Sequence, residues 1–415
     1  MRAKNKPIWL IVVCILICTL GYAYGSWGLP WYLKYVSQLG IVMIAGMWMF
    51  VTGDFGRLKH IRTFFWIYGV PFAGMLMISM FFWLLDFQKI NYISRGCSTI
   101  LYHVISLSFV CAAVYLFGGK AIEYNLYAMI LANIAIVLYS LKLYGVGEFA
   151  TGLIAFVKSG GVDTNAAIKC LEVHDLTFAF GLYLFYYLLF EKGKKKWILM
   201  IPILIFNFTG YKRIAMLGIG CVFLLHWILH FFNSKIQIGC IKIFTVLGIV
   251  CCFFYVFFIH SSLFNMIVEY FEIDTMGRKE LYDAFRPIYE FRPDFRGYGI
   301  GYVTRYISIM TEEGIGIFGT HGFGGLHNDI VTLYIELGFW GFGFWVWYNI
   351  RFRILWILKK YDLDTTKLLV YGTVYTYVTY ATDNTVFYCY INTIFMLLAL
   401  AYAVKRKELE KEEIV

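Results

Sequence analysis

Apolar runs of about membrane length, each closed by a short polar or basic stretch, recur along almost the whole chain. Twelve fall near 8–24, 31–52, 63–85, 98–118, 124–145, 175–191, 197–211, 213–232, 240–260, 327–350, 367–382 and 384–404. A helix needs about 20 apolar residues to cross the hydrocarbon of a bilayer. The seventh and eleventh runs are short, and the tight break "TGYKR" separates the seventh from the eighth. The pattern predicts an all-α, polytopic integral membrane protein of about twelve transmembrane helices, one membrane domain over residues 1–415. Two stretches interrupt it. Residues 146–174 are mildly amphipathic and poor in charge, and 261–326 is the one long loop.

Composition agrees with this pattern. The chain is 60% hydrophobic and 15% charged, against about 25% charged in a soluble domain. The net charge of +10 reads as loop charge that fixes topology and meets phosphate-bearing membrane lipid, not as a nucleic-acid surface. With the N-terminus in the cytoplasm, the inside loops hold "RAKNK", "GRLKHIR", "KGKKK" and "KRKELEK", and 22 of the 36 Lys and Arg in all. An even span count returns the C-terminus to the same side. The expectation is a multi-pass protein of the cytoplasmic membrane, with both termini cytoplasmic and 261–326 outside. The first run has the basic flank and apolar stretch of a signal peptide, but no small-x-small cleavage pattern follows it, so it reads as a retained first span. The ten Cys lie mostly in apolar runs with no CxxC pair, as small membrane residues do.

The outer loop breaks the usual bias of positive charge towards the cytoplasm. It carries Arg278, Lys279, Arg286, Arg292, Arg296 and Arg305 within 28 residues. Long loops translocate regardless of charge, and Glu280, Asp283, Glu290 and Asp294 can neutralise several of these cations. The same tract ends in Gly297, Gly299 and Gly301, a weak sign of a phosphate-binding nest. Lys212 and Arg213 sit in the break between runs seven and eight. They either snorkel to the interface or bind phosphate, for which the arginine fork is suited because it bonds two oxygens at once.

The stretch "GFGGLHNDIVTLYIELGFWGFGFW" opens the tenth run with His327, Asn328 and Asp329, and places Gly338 and Gly341 behind them. One reading is a capped helix with glycines for close helix packing. The other uses imidazole as a proton acceptor near neutral pH. His226 and His230 are one helical turn apart but lack a third ligand, and "DLD" at 362–364 sits beside Lys359 and Lys360 as a solvated loop would. No phosphate-loop or dinucleotide-binding fingerprint occurs, which argues against ATP-driven transport.

His-Asn, nine residues, Gly, two residues, Gly resembles the signature of the O-antigen ligase and O-antigen polymerase superfamily. "MGRKELY" resembles the Gly-Arg element that opens the family's large outer loop, and "GYKRIAML" its basic turn two spans earlier; the likeness covers roughly 170–345. The resemblance implies a membrane glycosyltransferase whose donor is an oligosaccharide on undecaprenyl diphosphate, with no cofactor, no metal and an inverting displacement. It places Arg213 and Arg278 on the diphosphate and His327 on the acceptor hydroxyl, with Asn328 orienting the imidazole or capping the helix. Lys212, Arg286, Arg292 and Arg296 are the further candidate substrate contacts. Lys212 departs from the small residue that often precedes the arginine.

The chemistry is self-consistent. Charge develops on the leaving diphosphate and a preorganised cation stabilises it, while a base takes the proton of the attacking sugar hydroxyl. A polymerase of repeat units is the favoured activity, for O-antigen, capsule or exopolysaccharide. The alternatives are a ligase with another acceptor and a lipid-linked sugar flippase. Against a flippase, the charges gather at the external face and the two halves show no repeat. A chain-length regulator and a flippase of the same pathway would be partners.

Overall fold

The computed structural model describes residues 6–53, 55, 58–86, 88–160, 163–171, 173–210, 212–273, 275, 277–315, 324–386 and 390–413. Every regular element among them is helical: α1 Ile8–Tyr22, α2 Leu33–Thr52, α3 Leu58–Leu85, α4 Ile90–Phe117, α5 Ala121–Lys158, α6 Ala166–Lys169, α7 His174–Leu189, α8 Lys195–Thr209 and α9 Arg213–His230. Then follow α10 Ser234–His260, α11 Ser262–Tyr270, α12 Arg278–Phe285, α13 Tyr302–Glu312, α14 Asp329–Val346, α15 Arg353–Lys360, α16 Leu363–Tyr380 and α17 Tyr390–Glu413. A π-helical turn over Trp347–Phe352 joins α14 to α15.

Six continuous stretches among the described residues are long and apolar enough to cross a membrane: Leu33–Thr52, Ile61–Leu85, Ile90–Lys158, Arg213–His230, Ser234–His260 and Asp329–Lys360. Ile8–Tyr22 and Leu176–Leu189 are shorter apolar helices. The protein is therefore an all-helical, polytopic membrane protein. The count differs from twelve for local reasons. The stretch Ile90–Lys158 holds two of the expected runs, and α8 has only 15 residues with Pro202 inside it. The α5 helix does not end at residue 145. It is broken there, with Gly145 at φ 78°, and continues to Lys158. The long stretch expected as an outer loop contains three helices among its described residues, α11, α12 and α13.

The chain divides into two compact units. The first comprises Met1–Trp66, Ile105–Phe223 and Cys389–Val415. Its α1, α5 and α7 are pinned by a buried polar relay. Tyr22 donates to Asn125 Oδ1 at 2.6 Å, Asn125 Nδ2 donates to Tyr183 Oη at 2.9 Å, and Tyr183 donates to the Ile122 carbonyl at 3.1 Å. In a setting without water each polar group must find such a partner. In the same unit, Lys405 bonds Glu191 at 2.8 Å and Lys195 pairs with Glu123. Sequence reading assigns all four residues to the cytoplasmic ends of their helices.

The second unit comprises Ile67–Val104 and Leu224–Tyr388. Its central element is α14, whose residues 329–338 are all buried. "DIVTLYIELG" is apolar almost all round, and a helix of that kind belongs inside a bundle. Phe253 of α10 packs on Phe339 and Phe342, and Gly341 faces Ile78 of α3.

The expected role of Gly338 in helix–helix packing is corrected here. Gly338 has φ 69° and ψ 179°, so it breaks α14 in the middle. Residues 295–303 enter the gap. Tyr298 N–H donates to Ile335 O at 3.1 Å, Gly299 N–H to Glu336 O at 2.7 Å, and Phe339 N–H to Phe295 O at 2.9 Å. A Cβ on Gly338 would lie 1.9 Å from the Arg296 carbonyl oxygen, so backbone occupies the space that any side chain needs. Glu336 is fully buried and accepts from Val303 N–H at 3.0 Å. Its carboxyl group thereby caps the start of α13.

These bonds also overturn the phosphate-nest reading of Gly297, Gly299 and Gly301. The tract has the positive φ values of a nest. Its N–H groups are nonetheless committed inward, Gly299 to Glu336 O and Ile300 to Ser79 Oγ at 2.9 Å.

Candidate active site

The α14 helix begins where Asn328 stops being extended. The Asn328 side chain accepts from Val331 N–H at 3.1 Å, the ordinary N-cap bond. Its amide nitrogen donates to Tyr255 Oη at 3.1 Å, and Tyr255 in turn donates to the Ala381 carbonyl. Both ends of the amide are used in this way, so Asn328 caps and anchors the helix. Asp329 is buried and accepts from Val386 N–H at 2.6 Å. Together these bonds tie the start of α14 to α10 and to the turn between α16 and α17.

His327 precedes this cap in the left-handed region, at φ 51°. Few non-glycine residues adopt it, although histidine is among the more tolerant, and such strain costs about 1–3 kcal/mol. The conformation is sustained because the next two residues are fully engaged. The His327 side chain is 32% exposed, and its Nδ1 lies 3.7 Å from Asp383 Oδ1. That is ion-pair distance and longer than a hydrogen bond. Asp383 itself is 7% exposed and accepts from Asn384 N–H at 2.8 Å. Asp383 was not singled out from the sequence. It stands 56 residues further on, in "ATDNTVF", which reads as a polar break between two apolar runs.

Tyr282 of α12 completes the cluster. Its hydroxyl lies 3.5 Å from the His327 carbonyl. Burial pushes the phenol up to about 12, although a hydrogen bond with Asn328 and the Arg278 charge pull it back in part. Tyr282 therefore stays protonated at any physiological pH. The charges of both Arg278 and Asp383 act on it. Arg278 is the first residue of α12, after Gly277 at φ 80°.

The cations between residues 278 and 305 divide into two groups. Asp283 holds Arg286 at 2.9 Å, with Asn265 a further acceptor at 3.4 Å. Glu290 and Asp294 hold Arg292 at 2.6 and 2.9 Å. Lys279 pairs with Glu269 at 2.6 Å, and Arg305 with Glu312 at 3.1 Å. Arg278 and Arg296 have no carboxylate partner among the described residues. Arg296 is exposed where the loop enters the α14 break.

Lys212 and Arg213 belong to the first unit, Arg213 exposed at the start of α9. His226 Nδ1 lies 3.1 Å from the Tyr371 hydroxyl. Asp362, from "DLD", is a helix cap and accepts from Thr365 N–H at 2.6 Å. The glycine-rich "GIGIFGTHGFGGL" reads as a gate before His327, but its residues 316–323, His321 included, lie outside the described residues.

The helices and this cluster define a membrane protein with a histidine, a carboxylate and an uncommitted arginine at the mouth of a buried helix. Residues 197–346, a little over a third of the chain, match the family model described as O-Antigen ligase, and over that segment the chain is similar to that family. None of the curated proteins matches the chain. The matched segment includes Lys212, Arg213, Arg278, Arg286, Arg292, Arg296, His327 and Asn328, while Asp383 lies beyond it.

Proposed function

We propose that the protein is an inverting, metal-independent glycosyltransferase that polymerises oligosaccharide repeat units carried on undecaprenyl diphosphate. The single observation that supports this most is the His327–Asp383 pair in the same cluster as Arg278. Asp383 faces Nδ1, which favours the tautomer with its proton there and leaves Nε2 as the base. A hydroxyl oxygen of the acceptor sugar attacks the anomeric carbon, and its proton passes to His327 Nε2. The new glycosidic C–O bond forms as the bond from the anomeric carbon to the diphosphate oxygen breaks. The leaving diphosphate keeps the electron pair, and Arg278, with no carboxylate of its own among the described residues, is free to meet that charge.

The mouth of a membrane helix suits this chemistry because the polyprenyl tail stays in the bilayer while its sugars project into water. Asn328 and Asp329 hold the mouth in place, so the histidine sits on a rigid element. Polymerase is preferred to ligase because capsule and exopolysaccharide systems predominate in the superfamily. The outer face of the cytoplasmic membrane is the corresponding location, with both termini inside.

The test is incubation of purified protein, in lipid, with polyprenyl-diphosphate oligosaccharide, followed by a gel of the glycan. A regular ladder is the expected product. One discrete transfer to an added acceptor would favour the ligase instead, and no transfer to any acceptor would overturn the glycosyltransferase reading.

A further inference from the structure

Helix α11 leaves one apolar face open and commits the other. Leu263, Met266, Ile267 and Tyr270 fall at i, i+3, i+4 and i+7, the spacing of a single helical face. All four are exposed, Met266 at 61% and Tyr270 at 81%. Phe271 and Ile273, directly after the helix, are exposed as well. An amphipathic helix that faces water puts charged and polar side chains on that side, and α11 puts none there.

The opposite face is occupied. Phe264 meets Phe258 of α10 edge-on with centroids 5.8 Å apart, and Tyr282 of α12 at 5.5 Å. Asn265 Nδ2 donates to Asp283 Oδ1 at 3.0 Å, and Glu269 holds Lys279 at 2.6 Å. These contacts strap α11 to α12, the helix that Arg278 opens.

The chemistry that covers the open face follows from α10. Ile243, Leu247, Val250, Phe254 and Phe257 line one exposed side of that helix, which is long and apolar enough to span a membrane and ends at His260. Ser261, at φ −78° and ψ 162°, ends α10 and begins α11, so the helical path breaks there. The exposed apolar surface resumes at once, at Leu263. A short helix with such a face at the end of a span fits the boundary between lipid headgroups and acyl chains.

We propose that α11 lies in the outer surface of the bilayer, with Leu263, Met266, Ile267 and Tyr270 among the lipids. This rests on the glycosyltransferase reading and its topology, and adds to them what sets the depth of α12. Through Phe264, Asn265 and Glu269, the lipid-seated helix holds Arg278 level with the diphosphate of the donor. That diphosphate joins a tail in the bilayer to sugars in water, so it lies at the same boundary.

The experiment uses the unaltered protein in phosphatidylcholine vesicles that carry a photoactivatable group on an acyl chain. After illumination and digestion, mass spectrometry should find about tenfold more lipid adducts on residues 263–273 than on the equally exposed tract 312–315. Equal yields on the two tracts would overturn the placement. Tyr270→Asp, which puts a charge on the open face, should raise KM for the polyprenyl-diphosphate donor about tenfold and leave kcat unchanged. An unchanged KM would overturn the role of α11 in setting depth; if that variant fails to accumulate, Met266→Asp takes its place. Absence of transfer by the unaltered protein, with the adducts as expected, would overturn the glycosyltransferase reading and leave the placement standing.

Discussion

The α14 helix carries two polar clusters nine residues apart, and they are built on opposite principles. At the break, around Glu336 and Gly338, the polar backbone is satisfied by other backbone: three inter-segment hydrogen bonds lie between 2.7 and 3.1 Å, and a Cβ would find 1.9 Å of room. At the mouth, the anchoring residues Asn328 and Asp329 are engaged, but His327 and Arg278 in front of them have no hydrogen-bonded carboxylate among the described residues. His327 is strained and partly open, its carboxylate partner stands at 3.7 Å, and Arg278 has no carboxylate among the described residues. A finished network holds structure, whereas an unfinished one beside it leaves donors and acceptors free for a substrate. Substitutions at the two ends of this short segment should therefore fail in different ways.

The largest effect should come from the break. Gly338→Ala puts a Cβ into the Arg296 carbonyl and forces a non-glycine residue into the left-handed region. The cost should exceed about 4 kcal/mol, beyond the range of ordinary point changes. Membrane accumulation and melting in detergent measure it; the residual protein should keep its specific activity. A normal melting temperature would mean that the loop does not occupy the break.

At the mouth, Arg278→Lys keeps the charge and loses the two-pronged geometry. Turnover should fall about 10²-fold, the scale of losing one preorganised donor, while accumulation stays normal. Near-normal glycan synthesis would remove Arg278 from the diphosphate. Asp383→Asn should have the smallest effect, about tenfold in turnover, the usual scale for a group that orients a functional histidine. Unchanged turnover in protein that accumulates normally would make Asp383 a structural residue only.

Much of the helical scaffold was legible in the sequence because length and hydrophobicity decide membrane helices almost without reference to neighbours. His327 and Asn328 were legible for a similar reason, since cap and candidate base are adjacent in sequence. Asp383 was not, because nothing in "ATDNTVF" signals a partner 56 residues upstream. Gly338 was read as a packing glycine because a glycine that breaks a helix and one that lets helices approach look alike in one dimension. The helical nature of α12 and α13 was in view, with Leu281, Tyr282 and Phe285 on one face and Val303 and Ile307 on another. It was passed over because the segment reads as a charged loop between spans. The pairing of Arg286 and Arg292 with Asp283, Glu290 and Asp294 was foreseen as one outcome of their proximity.

The most direct measurement is the turnover of purified His327→Ala with oligosaccharide polyprenyl diphosphate, beside His321→Ala as a matched control. His327 is the more exposed of the two possible bases there, at 32% against 7% for Asp383, and Asn328 and Asp329 hold the helix without the imidazole. Transfer should therefore fall about 10²–10⁴-fold in protein that accumulates normally and still binds the donor, while the control keeps its rate. His327→Ala protein that extends glycan at near the unaltered rate would contradict the assignment of His327 as the base.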